Sequence, residues 1–341
     1  MTTIFMLLLL GQLISAVDTK FSDIFDEKYR IMLEETAQDV IGVIGDLAVD
    51  SDGTIFLADN LSHCIFKYSS YGKLIKVIGR QGQGPGEFEI PFGVEISSDD
   101  KLCVVDAGNS RISVLSKDGK FIESFVTSPE AFIPLELKID AQNNFYVSGL
   151  KFTKAEKEGF IEGLYIHKYR SNYTYSQSFH SMNPIVPKLN LFIERGVTFD
   201  LDKNGNIYCA EHIAYKIFKY SSDGRLLSQF DRQAPFYIPP PEFPKQTSEI
   251  AFRDWLTKWT PLIILVYHQA GFIIVQFRIH KPLEYAIEIY DTSGNFLAGN
   301  IQTAHRLLCF GKDGFLYFQL SGRPEKYKLG KFSIKNNLLR H

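Results

Sequence analysis

Residues 65–70 read IFKYSS, and the same hexapeptide recurs unchanged at residues 217–222. Each copy lies in a longer unit with a fixed order of features. An Asp-Gly or Asn-Gly turn leads into a strand-like run that ends in an acid, Asp59 or Glu211, and a short loop then leads to the hexapeptide and a second turn. Repeats of short strands and tight turns are typical of arrays of small antiparallel sheets. The repeat therefore predicts an all-β fold built from copies of one unit.

Weaker copies of the unit follow along the chain at a spacing of roughly 40–50 residues. These copies span residues 102–120, 145–169, 271–294 and 307–333. With the two hexapeptide units they predict a six-bladed β-propeller with four antiparallel strands in each blade. The sixth copy has room for only three strands, whereas a strand-like segment at residues 29–34 precedes the first unit. We expect this N-terminal strand to close the last blade, because closure removes the exposed sheet edge of an open ring.

Two segments carry a family resemblance. Residues 77–88 (VIGRQGQGPGEF) connect the first two units, and residues 105–112 (VDAGNSRI) connect two strands of the second unit. They resemble the blade-joining and strand-loop-strand signatures of NHL-repeat propellers. The chain is thus similar to bacterial, exported six-bladed β-propeller proteins with NHL-type repeats, over roughly residues 46–341 and most strongly in blades one, two and four. Phe277 and Leu320 replace the signature acid in blades five and six. The resemblance implies a fold more than a function, since most members of that family lack an assigned activity.

The N-terminal residues 1–16 form an apolar run. The run is too short to span a bilayer and has the length of a signal-peptide core, with Ser15-Ala16 as its cleavage site. It lacks the lysine or arginine that usually precedes such a core. We predict an exported protein, periplasmic or extracellular, whose residues 17–341 form a single propeller domain. The alternative is an apolar tail without a targeting role.

Composition argues against several classes of partner. The chain has 37 Lys and Arg against 39 Asp and Glu, for a net charge of −2, so no overall field favours nucleic acid or a membrane surface. We expect no nucleic acid partner, no membrane span and a monomer. The cysteines show no metal-binding or redox spacing, because Cys64, Cys103, Cys209 and Cys309 fall in four different blades. No cofactor is predicted from these features.

Loop length distinguishes the two faces of the ring. In a propeller blade, the turns that join strands one to two and three to four emerge on one face, which we call the turn face. The other connections emerge on the opposite, long-loop face, and all sizeable insertions map there: residues 149–163, 231–261 and 278–285. Because binding residues collect on long loops held by a rigid scaffold, we predict ligand binding on the long-loop face.

The insertion at residues 231–261 contains both tryptophans of the chain. Ser248 can cap a short helix, and Trp255 and Trp259 fall on it at partly helical spacing. We interpret the segment as a lid or partner-docking element, with a structural plug over apolar blade edges as the alternative.

Charged side chains at the ends of second strands should also face the long loops. The candidate ligand-binding residues of this face are Asp59, His63, Asp106, Arg111, Glu211, His212, Arg278, His280, Trp255 and Trp259. Four of them offer carboxylate and imidazole ligands for zinc or calcium: His63, Asp106, Glu211 and His212. The alternative for the acids is structural, since the signature acid commonly hydrogen-bonds loop backbone.

Known catalytic motifs are missing from the sequence, which contains no Gly-x-Ser-x-Gly elbow, no His-Glu-x-x-His and no phosphate-binding loop. The first hypothesis is therefore a binding module for a protein, peptide or glycan on the long-loop face. The alternative is a metal-dependent lyase or hydrolase with its site at the mouth of the central channel.

Overall fold

The computed structural model describes residues 19–127, 132–154, 161–189, 196–244, 248–279, 285–322 and 325–335. Their strands form six four-stranded antiparallel sheets arranged as the blades of a propeller, as predicted. A short helix α1 (Phe21–Ile24) precedes strand β1 (Phe25–Met32).

Blades 1 to 3 follow in chain order, each with its innermost strand first. Blade 1 contains β2 (Ile44–Val49), β3 (Ile55–Asp59), β4 (Cys64–Tyr68) and β5 (Leu74–Ile78). Blade 2 contains β6 (Pro91–Ile96), β7 (Lys101–Asp106), β8 (Arg111–Ser116) and β9 (Phe121–Val126), with a 3₁₀ turn at Ala107–Asn109. Blade 3 contains β10 (Leu137–Ile139), β11 (Phe145–Lys154), β12 (Ile161–Tyr169) and β13 (Tyr175–Ser181).

Blades 4 to 6 complete the ring. A short helix α2 (Ile185–Lys188) leads into blade 4, which contains β14 (Val197–Leu201), β15 (Ile207–Glu211), β16 (Lys216–Tyr220) and β17 (Leu226–Asp231). Helix α3 (Glu249–Leu256) leads into blade 5, with β18 (Leu262–His268), β19 (Phe272–Arg278), β20 (Tyr285–Asp291) and β21 (Phe296–Thr303). Blade 6 contains β22 (Arg306–Phe310), β23 (Leu316–Ser321) and β24 (Lys328–Ile334).

The N-terminal strand closes the last blade, as predicted. Strand β1 pairs antiparallel with β24, from Phe25 opposite Ile334 to Met32 opposite Lys328. Its partner strand thus has no free edge, and the two ends of the propeller are joined by a backbone ladder.

The repeated turn has a specific geometric cause. Asp50 accepts hydrogen bonds on Oδ1 from the backbone N–H groups of Asp52 and Thr54 at 3.0 and 2.9 Å, and Gly53 takes a left-handed φ of +79°. Asp202 makes the equivalent contacts in blade 4, where Gly205 has φ +76°. The aspartate fixes the turn and the glycine tolerates its backbone conformation, which explains why both residues repeat together.

Burial is high in the second strands and low in the outermost strands of blades 1, 2 and 4. Strand β3 is buried at every position, because neighbouring blades cover both of its faces, whereas β9 has no fully buried residue. The innermost strands of neighbouring blades contact one another and surround a central channel.

The blade-three insertion is more regular than the loop that the sequence predicts. Strands β11 and β12 continue their pairing as far as Lys154 opposite Ile161, so the described part of residues 149–163 is a hairpin extension. Residues 155–160 lie outside the described part of the chain.

Candidate functional site

Asp59 holds the loops of blade 1 on the long-loop face. Its buried carboxylate accepts four backbone hydrogen bonds, from the N–H groups of Gly42, Val43, Leu61 and Ser62 at 2.6–3.1 Å. The hydroxyl of Ser62 donates a fifth at 3.1 Å. The sequence allowed two roles for this acid, ligand binding and the support of loop backbone. Its contacts are those of the second, structural role.

Asp106 and Arg111 hold the corresponding loop of blade 2. Arg111 Nε donates to Asp106 Oδ2 at 2.9 Å, and its Nη atoms donate to the carbonyl oxygens of Gln83, Gly84 and Glu87 at 2.8–3.0 Å. The buried carboxylate of Asp106 also accepts from the backbone of Glu89. The pair fixes the glycine-rich connection between blades 1 and 2.

His63 links those two loops. It has a left-handed φ of 54°, and its Nδ1 hydrogen-bonds the carbonyl oxygen of Glu89. The ring is therefore occupied in joining the blade 1 loop to the start of blade 2.

Glu211 and His212 lie in blade 4. Glu211 Oε1 is 3.4 Å from Nε2 of His180, whose Nδ1 shares a 2.8 Å hydrogen bond with the hydroxyl of Tyr220. Glu211 also accepts from the side chain of Asn183, and His212 lines the central channel. The histidine partner of Glu211 comes from β13 of the neighbouring blade, which the sequence does not reveal.

The four residues predicted as metal ligands are thus spread over blades 1, 2 and 4. Among the residues that the structure describes, no three His, Cys, Asp or Glu side chains converge on a common point. In blade 5, Arg278 ends β19 and its backbone N–H donates to the Pro261 carbonyl. His280 lies outside the described residues.

Helix α3 begins at the predicted cap, since Ser248 Oγ accepts from the N–H of Ala251. Both tryptophans are buried, with exposed fractions of 2% and 1%, contrary to a direct docking role. Their rings are 5.0 Å apart, and Trp255 Nε1 donates to the Pro241 carbonyl at 3.0 Å. They belong to an apolar cluster with residues of blades 3 and 4, so this segment packs as the plug that was the alternative interpretation.

The structure reveals a charged channel that the sequence interpretation missed. Lys138 lines it, with Nζ 3.8 Å from carboxylate oxygens of both Glu95 and Asp200. On the long-loop side, a cavity of about 90 Å³ is lined by Asp46, Glu136, Lys138, Thr198, His212 and Arg306, among others. The side chains of Glu95, Lys138 and Asp200 keep exposed fractions of 16–26%, which fits residues that line a cavity open to solvent.

Burial sets the protonation of the channel carboxylates. Loss of hydration raises the pKa of Glu136 to about 7, although Lys138 opposes this shift. Burial likewise raises the pKa values of Asp46 and Glu95. Burial disfavours the ammonium of Lys138, but the surrounding carboxylates outweigh that cost and raise its pKa. The channel can therefore hold both a firmly charged cation and a carboxyl that exchanges a proton near neutral pH.

An exposed apolar surface lies on the long-loop face, on the loops of blades 1 and 2. We call it the apolar patch, and its members have exposed fractions of 40–66%: Val40, Val43, Leu61 and Ile90. Hydrogen bonds connect the segments that carry them, from Ser62 Oγ to the Val40 carbonyl and from the Asn60 N–H to the Val43 carbonyl. The hydrogen bond between His63 Nδ1 and the Glu89 carbonyl links the loop that carries Leu61 to the segment that carries Ile90.

Comparisons with known proteins agree with the architecture. Residues 12–158 match the DUF5128 family, which is described as a 6-bladed beta-propeller. Human NHL repeat-containing protein 3 is 34% identical over 76 residues, which cover 21% of this chain and 22% of the human protein. The chain thus aligns with about a fifth of that relative.

Solved structures extend the likeness to almost the whole chain. A protein of Bacteroides fragilis, described as exported, covers 94% of this chain and 98% of its own, with a TM-score of 0.66 and 12% identity. Virginiamycin B lyase of Staphylococcus aureus covers 91% and 100%, with a TM-score of 0.53 and 12% identity. At these identities the likeness concerns the fold alone.

The six sheets, the closing strand and these matches define a β-propeller of six blades. More specifically, residues 12–158 match a family of such propellers, and a stretch of 76 residues is similar to a protein with NHL repeats. No helix among the described residues is long and apolar enough to cross a membrane.

Proposed function

We propose that this protein is an exported binding module that engages a protein or peptide on its long-loop face. The observation that carries the proposal is the apolar patch on the loops of blades 1 and 2. Exposed apolar side chains grouped on neighbouring loops of a scaffold are a common feature of protein-binding sites. The four side chains are aliphatic, so they favour a protein or peptide over a glycan, which would need ring faces or polar groups.

The patch is held in place before any ligand arrives. Asp59 fixes the backbone on both sides of it, through Gly42 and Val43 on one loop and Leu61 and Ser62 on the other. A surface that is already ordered loses little conformational entropy on binding. This arrangement suits recognition by rigid loops on a rigid scaffold.

Selection from a random peptide library on the purified protein tests the proposed function. We expect binders that lose capture when Leu61→Lys is introduced into the patch. Ile75→Lys is the matched control, because Ile75 is also exposed but lies on the outer strand β5 of the same blade. If the Leu61→Lys variant captures every selected peptide as well as the wild type does, binding at the patch is contradicted.

Export is the second part of the proposal and rests on the apolar run at residues 1–16. It predicts that the mature chain begins after Ala16 and is found outside the cytoplasm. N-terminal mass analysis of the native protein after cell fractionation checks this. An intact N-terminus in the cytoplasmic fraction would contradict it.

One observation favours a second candidate, a lyase or hydrolase in the channel. Glu136 has a pKa of about 7 in a cavity on the long-loop side, as suits a general acid or base at neutral pH. The metal-dependent form of this candidate needs zinc or calcium, yet its four ligands lie on separate loops. Stoichiometric metal in protein purified without chelator would favour that form. If the purified protein holds no metal, the candidate that remains is a metal-independent lyase or hydrolase with Glu136 as its general acid or base.

A further inference from the structure

We propose that the long-loop side of the central channel binds a small monocarboxylate, held by the guanidinium of Arg306. The cavity there measures about 90 Å³, and Arg306, the first residue of β22 in blade 6, lines its wall. The four side chains of the apolar patch lie outside this lining. The site therefore goes beyond the binding surface proposed above and does not depend on it.

The guanidinium of Arg306 is a cation without an internal counterion. Within the described part of the chain, no carboxylate oxygen lies within 4.0 Å of its nitrogens and no acceptor hydrogen-bonds them. Burial raises the pKa of Asp46 and the charge of Arg306 opposes that rise, so the two side chains are neighbours, although they form no ion pair. Arg306 is half-buried, and its five N–H donors lose free energy if they stay unpaired there. An anion in the cavity would supply the missing acceptor.

The acids of the cavity already have other partners. Asp46 accepts hydrogen bonds from the N–H groups of Val94 and Leu47 at 3.0 and 2.8 Å. Glu136 accepts from the N–H of Phe199 at 3.2 Å. In each case an acid of one blade holds the innermost strand of the next blade. These contacts fix both carboxyl groups in the wall for a structural reason, separate from Arg306.

Two further groups of the wall favour an anion. Lys138 adds a second positive charge, shared with Glu95 and Asp200 at 3.8 Å. Glu136, whose pKa burial raises to about 7, is in large part a neutral carboxyl near neutral pH. A neutral carboxyl has an O–H that can donate to an anion. The wall thus combines two cations with a further donor.

Size and surroundings select a small acid with one negative charge. A cavity of roughly 150 Å³ holds benzene, so one of about 90 Å³ suits acetate or propionate. The planar fork of a guanidinium matches a carboxylate through two parallel hydrogen bonds. Asp46 and Glu136 repel a dianion such as phosphate more than a monoanion. Val197, Leu265 and Leu307 also line the cavity and suit a short alkyl group.

NMR of the ligand protons, with the full-length protein at constant ionic strength, tests the proposal. We expect acetate and propionate to bind, and acetamide to bind at least about tenfold more weakly, because it has the shape of acetate without the charge. Phosphate should displace acetate at least about tenfold less well than propionate does. The same is expected of N-acetylalanine, which represents the C-terminus of a peptide and is larger than the cavity.

Variants of Arg306 place the ligand in the cavity. Arg306→Gln should weaken acetate binding at least about tenfold and leave the weak binding of acetamide unchanged. Arg306→Lys keeps the charge without the fork, so its affinity should be intermediate. Arg225→Gln is the matched control, because Arg225 is exposed on the turn face of blade 4. Circular dichroism checks that the variants fold.

The proposal is overturned if acetate does not bind, or if acetate and acetamide bind equally well. This comparison needs only the wild type, so it decides the question even if Arg306→Gln does not fold. Unchanged acetate affinity in folded Arg306→Gln would place the ligand elsewhere and contradict the proposal. Tighter binding of phosphate or of N-acetylalanine than of acetate would contradict the assignment to small monocarboxylates.

Discussion

At the scale of single residues, the acids of the NHL-type signature act as internal ligands for backbone. Asp59 is the clearest example, since one carboxylate organises two loops that carry most of the apolar patch. The sequence placed Asp59 on the correct face and allowed this structural role. The sequence alone could not decide between that role and ligand binding. Two of the N–H groups that Asp59 binds belong to Gly42 and Val43, in a segment that precedes the repeat.

Replacing Asp59 by alanine should lower the free energy of unfolding by about 2–3 kcal/mol, because several backbone donors lose their acceptor together. Urea unfolding followed by fluorescence measures this change. Asp52→Ala is the control, since Asp52 is an exposed turn residue. A loss below 1 kcal/mol at Asp59 would mean that water replaces the carboxylate easily and that the loops are less rigid than described.

The carboxyl of Glu136 predicts a pH dependence of stability. Its pKa in the folded protein, about 7, exceeds its ordinary value of 4.5, so folding favours the protonated form. Its contribution to stability is complete below about pH 4.5 and is lost as pH rises through 7. Relative to Glu136→Gln, the wild type should lose up to about 3 kcal/mol between pH 5 and 8.

Urea unfolding of both proteins across that pH range checks the prediction. The glutamine variant serves as the control, because it keeps the shape of the side chain and cannot ionise. Parallel pH profiles for the two proteins would contradict a raised pKa at this site.

At the scale of elements, the segment that contains helix α3 shows which structural features follow from local sequence and which do not. Its cap and its helix were predictable, because Ser248 and the spacing of apolar residues are local signals. Burial of Trp255 and Trp259 was not predictable, because they cluster with Tyr165, Val197 and other residues of blades 3 and 4 that lie far away in the sequence. An aromatic helix face has the same sequence pattern whether it meets a partner or its own scaffold.

Trp255→Ala should therefore destabilise the protein by about 3–5 kcal/mol, the usual cost of truncating a large buried side chain. Ile250→Ala is the matched control on the same helix, since Ile250 is 81% exposed and should be neutral. Thermal and urea unfolding measure both. A stable Trp255→Ala variant would show that the segment is loosely held and would restore the lid interpretation.

The channel residues were missed although the sequence carries a signal for them. Glu95, Lys138 and Asp200 each stand two positions before the first residue of the turn that follows their innermost strand, in blades 2, 3 and 4 respectively. Polar residues at one aligned position of otherwise apolar inner strands indicate a charged layer around the axis. Only the closed ring shows that they meet, since they are far apart in the chain.

At the scale of the whole molecule, the repeat was sufficient to predict the six blades and the closing strand. The predicted strand at residues 29–34 is observed as β1, Phe25–Met32, and it begins earlier because the pairing with β24 extends to Phe25. The bounds of this N-terminal strand depend on its partner β24 at the other end of the chain, so a local sequence pattern cannot show them. In the closed ring, the blades formed by the two exact hexapeptide units and by the weaker copies pack against one another.

Ring closure predicts a sharp contrast between two neighbouring residues of β1. Ile31 is buried in a cluster that joins blades 6 and 1, whereas Met32 is 54% exposed. Ile31→Lys should lower the free energy of unfolding by about 3 kcal/mol or more, because an unpaired charge enters the core. Met32→Lys should have little effect. Equal effects in urea unfolding would contradict closure by this strand.

We propose the apolar patch on the long-loop face as the binding surface. Amide hydrogen exchange of the full-length protein, with and without a peptide selected from the library, tests it most directly. We predict slower exchange on binding at residues 40–43, 60–63 and 87–90, with unchanged exchange in the turns at residues 50–53, 97–100 and 116–119. Protection confined to those turns, or to the outer strands, would contradict the claim.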